Sequence, residues 1–326
     1  MMKPRVYVTR AVPEEGFDVL QKECEVEVWA EERPVPRQVL LKKVSDIEGL
    51  YCLLTERVDE ALLDAAPALR VVSNMAVGYD NVDVDACTGR GIPVGNTPGV
   101  LTDTTADLAF ALLMTAARRI VAGADYVRAG KWKTWGPMLL MGQDVYGATL
   151  GIVGMGRIGQ TVARRTLGFD MRILYHDPYV AEADLDMDAT RVDMDTLLTE
   201  SDFVTLHVPL TEATYHLIGR DELDMMKPTA TLINASRGGV VDHDALYDAL
   251  REGQIGNAGL DVTEPEPIPA DHPLLSLPNC IVVPHIGSAS VATRTKMAMM
   301  ASENLLAGLR GHPLPHCVNP QVQQTG

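Results

Sequence analysis

The 326-residue sequence lacks several features that would each indicate a particular class of protein. No apolar run approaches the length of a membrane-spanning helix, and the first residues enter a strand-like pattern without signal-peptide architecture. The five cysteines are scattered, with no CxxC pair or metal-ligand spacing, which favours free thiols in a reducing cytoplasm. The formal net charge is −16, so nucleic acid and anionic membrane are not expected partners. We therefore expect a cytoplasmic globular protein.

Short strand-like runs alternate with helical stretches along the chain, a pattern typical of α/β proteins with open parallel sheets. A chain of this length is expected to form two domains, each with its own core. The apolar segment at about 102–128 predicts one long helix that bridges them. The amphipathic helix predicted at 291–311 is expected to pack back on the first domain.

The most informative motif lies at residues 150–165, where an aliphatic run enters a GxGxxG turn and leaves it as a helix. Gly154 permits the tight turn, Gly156 lets the backbone approach a pyrophosphate, and Gly159 lets the helix pack close to the strand. The helix N-terminus would then face the phosphates with unpaired N–H groups. An acid, Asp177, ends the next apolar run 18 residues after Gly159. This order predicts a dinucleotide-binding unit.

Asp177 also bears on the choice of dinucleotide. A carboxylate at this position would bind the adenosine ribose hydroxyls and repel a 2′-phosphate, so NAD(H) is favoured. His176 and Arg172 lie nearby and leave NADP(H) possible. The alternative interpretation is that Asp177 only caps a strand before Pro178.

Three later strand-like runs end in groups that could carry chemistry. Arg237 follows one run, Asp261 and Glu266 follow the next, and His285 follows the last. Ligands of open α/β sheets bind at the carboxyl ends of the strands. Together these tips offer a cation for a carboxylate, a proton donor and an acid to hold the donor, which are the parts of an α-keto acid reductase. Taken singly, each has a commoner structural interpretation, such as Arg237 pairing with Asp242.

These motifs in this order resemble the D-isomer-specific 2-hydroxyacid dehydrogenase family over essentially the whole chain. Further matching landmarks are VGYDNVD at 77–83 and NTPGVLTDTTAD at 96–107. Within the family the chain is most similar to glyoxylate/hydroxypyruvate reductases. The resemblance implies two doubly wound parallel-sheet domains. They are a flavodoxin-like substrate domain at 1–98 with 290–326 and a Rossmann NAD-binding domain at 99–289, which includes the bridging helix and a dimerisation loop at 99–148.

The resemblance also implies a reaction and the roles of individual residues. A small 2-keto acid, glyoxylate or hydroxypyruvate, would take hydride from the nicotinamide while His285 donates a proton to the carbonyl oxygen. Glu266 would pair with His285, and Arg237 would hold the substrate. The expected substrate contacts are Val77, Gly78, Arg237, His285 and Ser288. The expected cofactor contacts are Thr105, Gly154, Met155, Gly156, Arg157, Ile158, Gly159, Asp177, Val208, Pro209, Thr214, Ala235, Ser236, Arg237, Asp261, His285 and Gly287.

A homodimer is the expected assembly. Trp132 and Trp135 lie in an apolar loop that we expect to be exposed in a monomer, and an exposed apolar patch is typical of an interface. Leu139 occupies the position where mammalian glyoxylate/hydroxypyruvate reductases place a partner-subunit tryptophan over the substrate, so substrate size is less well specified than reaction type. Other interpretations left open are a phosphoglycerate, formate or phosphite dehydrogenase and an NAD-sensing corepressor-like scaffold.

Overall fold

A computed structural model describes residues 3–324, which form two compact units. The first unit comprises residues 3–101 and 289–324, and the second comprises residues 102–288. Each unit is built around one parallel sheet with its own order of strands. The predicted fold class, two parallel-sheet α/β domains, is confirmed.

The first unit has the strand order β2-β1-β3-β4-β5, which is the flavodoxin-like doubly wound order. The two strands that follow β1 in this order, β3 and β4, are buried at every position, as expected where both faces of a sheet are covered. The strands are β1 (Arg5–Val8), β2 (Glu25–Val28), β3 (Gly49–Cys52), β4 (Val71–Asn74) and β5 (Val94–Gly95). The first four helices are α1 (Glu14–Glu23), α2 (Arg37–Lys43), α3 (Glu60–Asp64) and α4 (Val84–Gly89).

The second unit is a seven-stranded sheet in the order β12-β11-β10-β9-β6-β7-β8. The order reverses between β6 and β9, which is the switch point where Rossmann sheets bind ligands. The strands are β6 (Thr149–Val153), β7 (Arg172–His176), β8 (Thr190–Arg191), β9 (Phe203–Leu206), β10 (Thr231–Asn234), β11 (Asn257–Leu260) and β12 (Cys280–Val282). The helices are α5 (Thr102–Ala117), α6 (Ile120–Arg128), α7 (Arg157–Arg165), α8 (Met194–Glu200), α9 (Arg220–Met225) and α10 (His243–Glu252).

The prediction of one continuous helix over 102–128 is wrong, because the helix ends after α5 and restarts as α6. Arg119 adopts a left-handed conformation, with φ of 52°, which interrupts the helical ladder. The carbonyl of Ala117 accepts a hydrogen bond from the N–H of Gln143 at 2.8 Å. The chain that follows α6 therefore returns to cap the end of α5.

The last helix, α11 (Val291–Leu309), belongs to the first unit. Ser290 caps it by accepting the Thr293 N–H at 3.1 Å. The helix packs across β3 and β4 and against α1, where a Cβ on Gly16 would lie 2.7 Å from the Cβ of Ala298. Within residues 3–324 no helix is both long and apolar enough to cross a membrane.

Candidate active site

The register of three neighbouring strands brings the predicted catalytic groups to one edge of the second sheet. Asn234, Leu260 and Val282 are paired across β10, β11 and β12. Arg237 lies three residues beyond this line on one strand tip, and His285 lies three residues beyond it on another. Since adjacent strands are about 4.8 Å apart, the tips that follow them emerge within a single site.

His285 is hydrogen-bonded to Glu266 at this edge. The Nδ1 atom of His285 lies 2.6 Å from Oε1 of Glu266, and the Thr263 N–H donates to Oε2 at 3.4 Å. Partial burial would raise the pKa of Glu266. The hydrogen bond and charge of His285, with the Thr263 N–H and the charge of Arg237, instead hold that pKa below its ordinary value. Among the described residues, Nε2 of His285 makes no hydrogen bond, so it is the ring nitrogen that a substrate can reach.

Asp261 shapes the turn that presents His285. Its carboxylate is 2% exposed and accepts the N–H groups of Ile286 at 2.6 Å and Gly287 at 2.8 Å. Burial raises the pKa of Asp261 in spite of these donors and the nearby charge of His285. Thr105 lies beside this turn, since its Oγ1 is 3.5 Å from the position of a Cβ on Gly287. The structure thus groups Asp261, Thr105 and Gly287.

The Arg237 tip is held by the buried side chain of Asn234. Its Nδ2 donates to the Arg237 carbonyl at 2.9 Å, and its Oδ1 accepts from the N–H and the hydroxyl of Ser236 at 3.0 and 2.8 Å. The next residue, Gly238, leaves no room for a side chain because a Cβ there would lie 2.0 Å from the Thr263 carbonyl oxygen. The tip that carries Arg237 and the segment that carries Glu266 therefore pack main chain against main chain.

The glycine-rich turn between β6 and α7 fits a pyrophosphate. Gly154 has φ of 92°, and a Cβ on it would lie 2.9 Å from the His207 carbonyl carbon and oxygen. A Cβ on Gly159 would lie 2.2 Å from the Gly154 carbonyl oxygen, whereas one on Gly156 would meet nothing within 4 Å. Gly156 is the N-cap of α7 and provides no side-chain cap, so the first N–H groups of the helix are left for a phosphate.

Asp177 connects the end of β7 to this turn. Its Oδ2 accepts the Met155 N–H at 2.8 Å, and its Oδ1 accepts the Tyr179 N–H at 2.7 Å and the Val180 N–H at 3.2 Å. The side chain of Val208 borders the turn from the end of β9, since its Cγ1 lies 3.0 Å from the position of a Cβ on Gly154. The carboxylate thus sits against the phosphate-binding turn, where a ribose would follow the pyrophosphate.

The remaining predicted contacts of the second unit lie near these groups in sequence. Arg157 and Ile158 begin α7, and the half-buried Ala235 follows β10. The Thr214 hydroxyl closes a local turn by donating to the Pro209 carbonyl at 2.6 Å, so its polar group already has a partner. Ser288 is half-buried and is the last residue of this unit.

Val77 and Gly78 lie in the first unit, just beyond β4. The Asn96 side-chain amide donates to the Val77 carbonyl at 2.9 Å, and the Asn74 amide donates to the Gly78 carbonyl at 3.0 Å. In the part of the chain that the structure describes, neither the Val77 nor the Gly78 N–H donates a hydrogen bond. Their role as substrate donors stays a prediction.

Sequence reasoning missed the two asparagines that hold this loop. Asn74 and Asn96 are almost completely buried, and the amide of each donates a hydrogen bond to a carbonyl of this loop. The Val77 and Gly78 N–H groups are left available to a ligand. The signal available in the sequence was an asparagine at the end of each apolar run, LRVVSN and IPVGN, since a polar side chain that becomes buried there needs a partner. No cluster of three or more potential metal ligands occurs among the described residues.

Comparison with known proteins places the chain in a family. The family model described as "D-isomer specific 2-hydroxyacid dehydrogenase, NAD binding domain" matches residues 110–287, more than half of the chain. A glyoxylate reductase from Korarchaeum cryptofilum is 56% identical, over 98% of this chain and 97% of the relative. The chain belongs to the D-isomer-specific 2-hydroxyacid dehydrogenase family. The predicted family is confirmed, and the second unit binds a nicotinamide dinucleotide.

Other relatives agree over similar lengths. A glyoxylate reductase from Pyrococcus horikoshii is 51% identical, over 98% of this chain and 97% of the relative. A crystal structure of a protein from Thermus thermophilus has a TM-score of 0.92 and 48% identity, covering 96% of this chain and 99% of its own. An NADPH-dependent glyoxylate/hydroxypyruvate reductase from Sinorhizobium meliloti, solved with NADP and malonate, has a TM-score of 0.85 and 34% identity over 97% of both chains.

Proposed function

We propose that the protein is an NAD(P)H-dependent glyoxylate reductase that also reduces hydroxypyruvate to the D-2-hydroxy acid. The observation that carries the proposal is the 2.6 Å hydrogen bond between Glu266 and Nδ1 of His285 at the carboxyl edge of a dinucleotide-binding sheet. It occurs in a chain whose relatives at 48–56% identity are named glyoxylate reductases. A bound reduced nicotinamide would supply hydride to the keto carbon.

His285 would provide the proton that balances the reduction. The Glu266 carboxylate accepts the Nδ1–H and orients the ring, which leaves the Nε2 proton for the developing alkoxide of the substrate. The hydrogen bond and charge of His285 lower the pKa of Glu266, so the carboxylate that holds Nδ1 stays ionised near neutral pH. Loss of the proton from Nε2 leaves a neutral imidazole that must be reprotonated before the next turnover.

Arg237 is the proposed partner of the substrate carboxylate. Asn234 binds the main-chain carbonyl of Arg237, and Nη1 of Arg237 donates to the Ser236 carbonyl at 2.9 Å. These hydrogen bonds restrict the positions that the guanidinium can adopt. Guanidinium groups bind carboxylates through two parallel hydrogen bonds. Because the whole chain has a formal net charge of −16, an anionic keto acid depends on local positive charge of this kind.

NADH is the proposed preferred cofactor. Asp177 lies beside the glycine-rich turn with its carboxylate already fixed by the Met155 N–H, and a negative charge there would repel a 2′-phosphate. Asp261 would orient the nicotinamide end by way of the turn at Ile286 and Gly287. The cytoplasmic location stays a prediction.

The proposal is tested by turnover of the purified protein. Oxidation of NADH and of NADPH is followed with glyoxylate and with hydroxypyruvate, and kcat/KM is expected to be higher with NADH. His285→Ala should lower kcat by about 10²- to 10⁴-fold, the usual contribution of a positioned general acid. His312→Ala, at an exposed histidine of the first unit, is the control and should retain activity. Failure to oxidise either cofactor with any small 2-keto acid would refute the enzyme and favour a dinucleotide-sensing role.

A further inference from the structure

The first residue of α10, His243, is a buried base that the proposed mechanism does not use. It is 6% exposed, and the preceding Asp242 caps the helix by accepting the N–H groups of Asp244 and Ala245, each at 3.0 Å. The Nδ1 atom of His243 lies 3.1 Å from the main-chain nitrogen of Glu264 and 3.0 Å from its carbonyl oxygen. The ring therefore binds the Glu264 main chain in either neutral tautomer.

The Glu264 main chain leads directly to the acid that holds His285. Thr263 donates its N–H to Glu266 Oε2 at 3.4 Å and its hydroxyl to the Pro265 carbonyl at 2.9 Å. Opposite these bonds, Gly238 lies so close to Thr263 that no side chain would fit between them. Two groups outside this segment thus contact its main chain, namely Gly238 at Thr263 and the His243 ring at Glu264.

Burial and several neighbouring titratable groups together set the pKa of His243. Burial lowers the pKa of His243, and the nearby His272, whose ring centroid is 6.3 Å away, acts in the same direction. Glu264 and Asp242 oppose this shift without overcoming it. Both carboxylates also face His216, whose Nε2 lies 3.5 Å from Glu264 Oε2 and whose Nδ1 lies 3.8 Å from Asp242 Oδ2.

The other ring nitrogen of His243 reinforces the neutral state. Nε2 is buried and has no hydrogen-bond partner among the described residues. An N–H at Nε2 would have nothing to accept it, which is costly in a buried position and disfavours both the protonated ring and the neutral tautomer that carries its proton on Nε2. The ring thus stays neutral near neutral pH, with its proton on Nδ1, which donates to the Glu264 carbonyl.

We propose that His243 is a positioning residue for the reduction, and that its contact with the Glu264 main chain keeps Glu266 on Nδ1 of His285. This inference rests on the proposed function, since it assigns a role in the same reaction. The effect passes from His243 to Glu264, through the Thr263–Glu266 contacts, and ends at His285. His243 itself touches neither of the reacting groups.

The test replaces His243 in two ways. His243→Leu fills the space without a polar atom, whereas His243→Asn keeps an amide near the position of Nδ1 and should restore the contact. His272→Leu is the matched control, because His272 accepts the Leu274 N–H at 3.3 Å and makes no hydrogen bond to Glu264 among the described residues. This variant therefore removes the ring beside His243 without removing the contact under test. The melting temperature of each variant separates loss of folding from loss of positioning.

The kinetic readout is the pH profile of kcat for glyoxylate reduction at saturating cofactor. His243→Leu should lower kcat about 10-fold, since small displacements of a catalytic group cost that much or more. The pH profile of kcat should change in the same way as in Glu266→Gln, because Nδ1 of His285 loses its carboxylate partner. KM and the cofactor Kd should change less than about twofold. A His243→Leu enzyme with unchanged kcat and pH profile, or a His243→Asn enzyme no better than His243→Leu, would overturn the inference.

A second readout does not depend on turnover. The Glu266 carboxylate is titrated by NMR, with its signal identified from the Glu266→Gln spectrum. In His243→Leu the pKa of Glu266 should rise, because the His285 hydrogen bond that lowers it is weakened, and in His272→Leu it should not change. Absence of keto acid reduction by the unaltered protein overturns the proposed function alone, whereas an unmoved Glu266 pKa in a folded His243→Leu variant overturns the positioning role.

Discussion

Alanine at Gly156 and at Gly159 should separate cofactor binding from packing within a single turn. The two glycines lie three residues apart, but their surroundings differ. A Cβ on Gly156 would meet no atom within 4 Å, whereas one on Gly159 would lie 2.2 Å from the Gly154 carbonyl oxygen and 3.2 Å from Ile152 Cγ2. Gly156 therefore has room that the protein does not fill, while Gly159 has none.

The expected size of each effect follows from these contacts. At Gly159 the start of α7 must move by about 1 Å, and overpacking of this kind costs about 1–3 kcal/mol, part of which the higher helix propensity of alanine offsets. The melting temperature of a unit this large should fall by about 2–8 °C. At Gly156, φ of −70° and ψ of −165° suit alanine, so stability should change by less than about 0.5 kcal/mol. A methyl group there would meet the pyrophosphate, and a loss of about 1.4 kcal/mol would weaken NADH binding about 10-fold.

Thermal unfolding without cofactor measures stability, and quenching of protein fluorescence by NADH measures affinity. Gly156→Ala should unfold like the unaltered protein and bind NADH more weakly. Gly159→Ala should unfold earlier. Unchanged NADH affinity in Gly156→Ala would refute the placement of the pyrophosphate over this glycine, and unchanged unfolding of Gly159→Ala would refute the packing argument.

Two further predictions concern the cofactor and the assembly. Asp177→Ser should raise the ratio of kcat/KM for NADPH to that for NADH at least about 10-fold, because a negative charge is lost near the site of a 2′-phosphate. Asp177→Asn, which keeps an acceptor for the Met155 N–H, should separate the charge from the support of the turn, and an unaltered enzyme that prefers NADPH would contradict the assignment. Trp132 and Trp135 are 59% and 79% exposed in the single chain, so we expect a second copy to cover them. Sedimentation should show a dimer that replacement of both with serine shifts toward monomer, and a monomeric unaltered protein would exclude that interface.

The glycine-rich turn shows what the sequence predicts well. Its glycines, the preceding aliphatic run and the acid at Asp177 are local features, and each follows from what a strand–turn–helix unit requires of single residues. The fold class followed from the alternation of such units. The structure adds that Asp177 also accepts the Met155 N–H, a contact across 22 positions that no spacing rule reveals.

The break between α5 and α6 shows where such reasoning fails. Neither Arg118 nor Arg119 is a glycine or proline, and the apolar pattern continues past them, so local propensity favours one helix. The break depends on Arg119 in a left-handed conformation and on Gln143, which returns to bind the Ala117 carbonyl. The two-residue strand β8 was also missed, because Thr190 and Arg191 are exposed and carry no apolar pattern.

His243 illustrates a third limit, which concerns residues that act through the main chain of others. In sequence it is the first residue of an amphipathic helix after a capping aspartate, a position that is usually solvated. In the structure it is buried, with the main chain of Glu264, 21 positions later, and the ring of His272 beside it. Asn74 and Asn96 belong to the same category, since each binds a carbonyl rather than a ligand.

Two kinds of contact set the geometry of the sheet edge that carries the proposed catalytic groups. The register of β10, β11 and β12 sets where each tip begins, and it depends on apolar packing that many sequences satisfy. The directions of Arg237 and Glu266 depend instead on contacts between main chains, such as the approach of Gly238 to Thr263. Such contacts leave little freedom, because main-chain atoms cannot be repacked as side chains can. The proposed catalytic groups are thereby positioned through main-chain contacts, and the His243 ring adds one such contact at Glu264.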